Sequence, residues 1–296
     1  MRILAEGLSF PEGPVSMPDG SIVLVEVARG VLTRIDAQGR SHVVSDVGGG
    51  PNGAALAPDG RIVVCNNGGG EFASRGGPAA EAARIEIVDL ERGESERLYE
   101  HCDGHALSAP NDLVFDGHGG FWFTDFGKRR GRTQDVGSVY WARADGTQIR
   151  EVIRGLHCPN GIGLSPDGSV LYVAETLTAR LWSWSLTGPG AVEHVRGTEH
   201  GGLLVIGTST YRRFDSLAVS VSGKVLIGTL ETGGITEVDP VRRRSRFHPL
   251  PDRRVTNVCF DASGADRVYV TLAQSGRLVE LPWTESGHPL AGDGTV

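Results

Sequence analysis

The sequence predicts an all-β protein, a six-bladed β-propeller with four-stranded blades around a central channel. Three observations carry that reading: an excess of glycine, a turn-and-strand unit that recurs six times, and a polar residue at one register of every copy. Glycine supplies 43 of the 296 residues, about double the ~7% of average usage. Without collagen periodicity, such an excess signals many turns and therefore many short strands.

The repeated unit is a turn ending in glycine followed by an apolar strand. It appears as Pro18-Asp19-Gly20 before Ile22-Val23-Leu24-Val25, and as Pro58-Asp59-Gly60 before Ile62-Val63-Val64-Cys65. Gly117-His118-Gly119 precedes Phe121-Trp122-Phe123, and Pro166-Asp167-Gly168 precedes Val170-Leu171-Tyr172-Val173. Val221-Ser222-Gly223 and Ala262-Ser263-Gly264 precede Val225-Leu226-Ile227 and Val268-Tyr269-Val270. Pro presets φ, Asp caps the turn and Gly accepts positive φ. Successive turn glycines average about 49 residues apart, the length of a four-stranded blade. The fourth unit reads as strands at 162–165, 170–174, 180–185 and 192–196. Residues 1–296 are expected to form a single propeller domain. Insertions are expected at 68–84, 127–136 and 197–213, and a poorly ordered polar tail at about 284–296.

Counting back from each turn glycine finds the ring. Glu12, Asn52, Asn111, Asn160 and Asp215 each stand eight residues before theirs, and Asn257 stands seven before Gly264. Asn and Asp are depleted in strands, so six such residues at one register call for a cause. One is architectural: these side chains organise turns by bonding their own backbone. The other is a hard divalent cation, which takes carboxylate and amide oxygens. Glu12 and Asp215 would balance its charge, and the channel then reads as metal-binding.

Net charge is −7 with no basic stripe, so a nucleic-acid partner is not expected. The longest apolar runs fall far short of a membrane span, and no membrane partner is expected. Met1–Gly7 carries no apolar signal core. Four scattered cysteines, Cys65, Cys102, Cys158 and Cys259, fit reduced thiols and a cytoplasmic location. The chain is expected to be a monomer or small homo-oligomer.

Phe10-Pro11-Glu12-Gly13-Pro14, Pro110-Asn111-Asp112, Phe121-Trp122-Phe123-Thr124-Asp125, Pro159-Asn160-Gly161 and Leu171-Tyr172-Val173-Ala174-Glu175-Thr176 together resemble the SMP-30/gluconolactonase/LRE family. The resemblance covers nearly the whole chain. It implies a six-bladed propeller that opens lactones with one divalent metal ion, most often Ca2+, with Zn2+, Mn2+ or Mg2+ also used. It implies that Glu12, Asn160 and Asp215 bind the metal, that Asn111 binds metal or substrate, and that Asp215 is the general base. Asn52 and Asn257 complete the ring as candidate substrate contacts, and Asp112 stands beside Asn111.

Where sugar lactonases of that family carry an arginine, this chain has Ala109. Where they carry a glutamate, it has Lys128-Arg129-Arg130. The expected substrate is a less hydroxylated or anionic lactone or ester, with Lys128, Arg129 or Arg212 meeting a carboxylate. Two other readings stay open. One is a phosphotriesterase-like hydrolase on the same ring; the other is a non-catalytic ligand-binding propeller with a structural ion.

Overall fold

The computed structural model describes residues 1–70 and 77–289. Six antiparallel blade sheets follow one another along the chain, five of four strands and the fourth of five. Their innermost strands are Pro11–Ser16, Pro51–Leu56, Pro110–Phe115, Pro159–Leu164, Arg213–Val219 and Val255–Phe260. Each packs against the next, and the last packs against the first, so the ring closes. Every blade repeats the same inner-to-outer meander, so the inner strands run the same way along the channel. Closure of the sixth blade uses the N-terminus: Arg2–Ala5 adds as its outermost strand, against Arg277–Pro282. This pairing joins the first strand of the chain to the last and closes the ring.

The period-2 alternation of the strands explains the packing. Phe121 and Phe123 face the second blade, while Trp122, between them, faces the fourth. Six apolar clusters result, one at each interface between neighbouring blades. Among the described residues no helix is long and apolar enough to cross a membrane.

Two expectations are corrected. The fourth blade's outer strand is Leu203–Gly207, not 192–196; only Ala191–Val192 pairs near that position. The run Leu203-Leu204-Val205-Ile206 is continuous and apolar, whereas Glu193–Glu199 is polar and loops out. His200 fixes that loop, stacked edge-on against Trp182 at 4.4 Å with its carbonyl accepting from Trp184 Nε1. The tail is ordered through Pro289: Gly287 bridges Ser220, and Glu285 pairs with Lys224 at 2.9 Å. The rest of the expected tail, 290–296, and residues 71–76 of the expected 68–84 loop lie outside the described residues. The 127–136 insertion contains a short hairpin, Arg129–Arg130 against Thr133–Gln134.

Candidate functional site

All six ring residues sit near the starts of the inner strands, and the ladder is irregular there in every blade. Register shifts fall at Glu12/Val15, Pro51/Ala54, Pro110/Leu113, Pro159/Ile162, Phe214/Leu217 and Val255/Asn257. A bulge leaves a residue unpaired and re-aims its side chain. Six bulges at one level turn polar groups away from the sheets and toward the axis.

Glycines let the strands close in at this level. A Cβ on Gly53 would lie 2.5 Å from the Asn111 carbonyl oxygen, and one on Gly161 would lie 2.6 Å from that of Asp215. Neighbouring inner strands therefore approach backbone to backbone where the ring residues emerge.

Glu12, Asn111, Asn160, Asp215 and Asn257 are all buried; Asn52 is half-buried. Two bonds link neighbouring blades at the ring. Asn160 Nδ2 donates to Asp215 Oδ1 at 2.5 Å, and Asn257 Nδ2 donates to Glu12 Oε2 at 3.1 Å. Asn160 also donates to Thr176 Oγ1 and accepts from Ser216 Oγ. Asn111 Oδ1 is buried and accepts no hydrogen bond. An orphaned buried acceptor is costly.

Asp112 is also brought into the site. It projects between blades, where the Leu113 amide donates to it and the Ser216 hydroxyl and the Ile162 and Leu217 amides face it. Burial raises its pKa to about 7 against those donors. Burial likewise raises Asp215, with the Asn160 bond opposing and the Asp112 charge adding to the rise. Glu12 is raised well above the usual carboxylate range by burial, then by the charges of Asp215 and Asp112. Three buried carboxylates thus share one channel and disfavour one another's ionisation.

This is a set of oxygen donors with one amide oxygen unsatisfied, and it fits a hard divalent cation. The amide of Asn160 presents nitrogen to Asp215; turned over, it presents oxygen instead. Among the described residues no three His, Cys, Asp or Glu side chains form a metal-holding group. Amide and backbone oxygens are the donors that can add to the carboxylates here.

A layer of anchors that the sequence reading missed holds the approach to the ring. The second strand of four blades ends in Glu26, Asn66, Asp125 or Glu175. Each accepts from the backbone just ahead of a ring residue: Ser9 N at 2.8 Å, Gly50 N at 2.8 Å, Ser108 and Ala109 N at 2.7 Å each, and His157 N at 2.7 Å. In the sixth blade Asp252 does this for Arg254 N at 2.7 Å. The signal was available, since the four strand-end residues stand six or seven places after the turn glycines.

Beyond the ring the channel becomes a cavity of about 310 Å³. Asp112 and Asn257 meet it at the ring, Val15, Leu56, Phe115 and Val219 line its length, and Gly287 to Pro289 border it near the turns. At the opposite mouth Arg129 is exposed on its hairpin. Arg212 lies farther out, over the Phe247 ring at 4.2 Å.

The model of the SMP-30/Gluconolactonase/LRE-like region matches residues 10–274. The chain belongs to this family. A lactonase named drp35 from Staphylococcus haemolyticus is 34% identical over 183 residues, 61% of this chain and 52% of that protein. The chain spans about half the length of such curated relatives. Among solved structures, a gluconolactonase from Xanthomonas campestris superposes with a TM-score of 0.76 at 22% identity, covering 95% of this chain and 88% of that one. The calcium-binding protein regucalcin from Agrobacterium tumefaciens gives 0.77 at 19% identity, covering 97% and 94%. At these identities the structural likenesses bear on the fold, which is the family's propeller.

Proposed function

We propose that the chain hydrolyses a lactone or related carboxylic ester at the ring, with one divalent cation, calcium first, held by Glu12, Asn160, Asp215 and Asn111. The observation that carries this reading is the buried, unpartnered Asn111 Oδ1 beside buried carboxylates that repel one another. A bound cation supplies Lewis-acid polarisation of the ester carbonyl and a more acidic water. Asn160 fixes Asp215 through Oδ1, which leaves Oδ2 to take the proton from the attacking water. Asp112, which accepts from the Leu113 amide and is faced by the Ile162 and Leu217 amides, keeps the third, fourth and fifth blades in register at the ring. Asn52 and Asn257 face the substrate. The lactonases among the curated relatives and the family membership support the reaction class.

The test is hydrolysis of a lactone panel and an aryl phosphotriester by the wild type and Asp215→Asn. Both are stripped with chelator and reloaded with calcium, manganese, magnesium or zinc. Lactone turnover that returns with metal and is lost in folded Asp215→Asn is expected. Turnover indifferent to chelator, or kept in the variant, would move the site elsewhere. Turnover of the phosphotriester alone would install the phosphotriesterase reading. Metal-raised stability without turnover of any ester would install the binding scaffold.

A further inference from the structure

The mouth of the ring carries a cationic feature that the hydrolytic reading does not use. Arg129 faces Gln134 directly in the two-residue ladder of the 129–134 hairpin. Directly opposed residues of an antiparallel pair project from the same face. Gln134 uses that face to donate to the Cys158 sulfur, and Cys158 stands two residues ahead of Asn160. The Arg129 side chain is thereby turned toward the ring at the fourth blade. Its neighbour Arg130, on the other face, is held by Asp135.

Arg213 comes from the next blade. It opens the strand Arg213–Val219 that carries Asp215, and its guanidinium lies 5.9 Å from the Tyr211 ring. Both lie where the fourth and fifth inner strands begin: Gln134, opposite Arg129, donates to Cys158, and Arg213 stands two residues ahead of Asp215. Among the described residues neither Arg129 nor Arg213 has an ion-pair partner within 4.0 Å. Two guanidinium groups from different elements thus flank the approach to Asn160 and Asp215, and among the described residues neither is held by an ion pair. A guanidinium fork matches a planar carboxylate and binds it bidentately.

We infer that Arg129 and Arg213 receive a carboxylate on the substrate, so that the lactone opened here bears a free carboxylate next to its ring. The inference rests on the lactone-hydrolase reading, and it names the substrate class for that site. The ring lactone lies over the ring residues while the carboxylate is held at the fourth and fifth blades, which fixes the face presented to water.

Two matched probes test it: a five-membered lactone with a carboxylate beside the ring oxygen, and its carboxamide. The wild type, loaded with calcium, is expected to favour the carboxylate in kcat/KM by about 10-fold or more, the worth of a charged hydrogen bond. Arg129→Gln and Arg213→Gln are each expected to lower that ratio by about 10-fold, and Arg129→Lys to recover part of it. Equal use of both probes by the wild type, or an unchanged ratio in both glutamine variants, overturns the inference. A calorimetric arm with the corresponding lactam carboxylate and lactam carboxamide reads binding without turnover. If no lactone is hydrolysed, the hydrolase reading fails by itself. Binding selective for the carboxylate and weakened in the glutamine variants then still supports the receiving pair, and unselective binding still refutes it.

Discussion

Asn160 donates its side-chain amide to Asp215 Oδ1 at 2.5 Å, and this bond ties the fourth blade to the fifth at the channel axis. The acceptor is buried and shares its surroundings with Asp112 and Glu12. Asp215→Asn keeps the shape and removes one buried charge. In chelator the variant is expected to melt at or above the wild type. Calcium at about a hundred times its Kd adds about 2.7 kcal/mol to a protein that binds it only when folded. The variant is expected to lose most of that gain. Thermal melts with and without calcium read both effects. A variant that melts lower in chelator and keeps the full calcium gain would remove Asp215 from the ligand set.

The close approach of inner strands makes Gly161 irreplaceable by even one methyl group. Its Cβ would meet Asp215 O and Leu217 N at 2.6 Å each. Both are backbone atoms, so the strand itself must shift. Gly161→Ala is expected to cost about 1–3 kcal/mol, the usual penalty of overpacking. Gly207→Ala is the control, because its Cβ would meet only the Arg180 side chain, at 3.5 Å. Urea titrations of the two variants separate them; equal stabilities would mean that the inner strands are free to part.

The fold was legible because its signals are local and repeated. A turn glycine recurs at a fixed place, and strands such as Phe121-Trp122-Phe123 alternate between two cores. The ring was legible because counting from those glycines finds it. The anchors were not, because Glu26 or Asp125 at a strand end looks like any polar strand terminus until the backbone it holds is seen. The fourth blade's outer strand was misplaced because Val192 and Val195 follow the third strand at a short distance, as a fourth strand would. What decides the matter is a pairing with Arg180–Gly188 across a loop of more than ten residues. The outward or inward aim of Arg129 depends on a hairpin ladder of two residues, which no pattern of composition reveals.

Asp125 exemplifies the anchors. Its carboxylate, 3% exposed, accepts from the amides of Ser108, Ala109 and Gly127. Asp125→Ala strands these donors ahead of Asn111, and each buried unmet donor costs about 1–3 kcal/mol. A loss of about 3 kcal/mol is expected, with Asp125→Asn losing less because one oxygen remains. Chemical denaturation gives both numbers. If Asp125→Ala loses under 1 kcal/mol, water replaces the carboxylate and the anchor is dispensable.

In the second blade the anchor is supported by a buried ion pair. Arg84 and Glu86 are each only 2% exposed and meet at 3.0 Å. Arg84 also donates to the Val47 and Ala82 carbonyls and pairs with Glu81, which accepts from Gly49 N. Asn66 joins the network by donating to Glu86 at 2.7 Å. The whole network grips the Gly48–Gly50 turn that leads into Asn52. Arg84→Met leaves Glu86 buried without its cation, and breaking such a pair from one side costs about 3–5 kcal/mol. Glu86→Leu added to Arg84→Met removes the stranded charge. The double variant is expected to recover much of the loss, since buried pairs replaced by apolar groups are often near neutral. A double-mutant cycle measured by urea denaturation carries the decision. Additive losses would mean that Arg84 and Glu86 are not coupled, and that each holds the turn through its other partners.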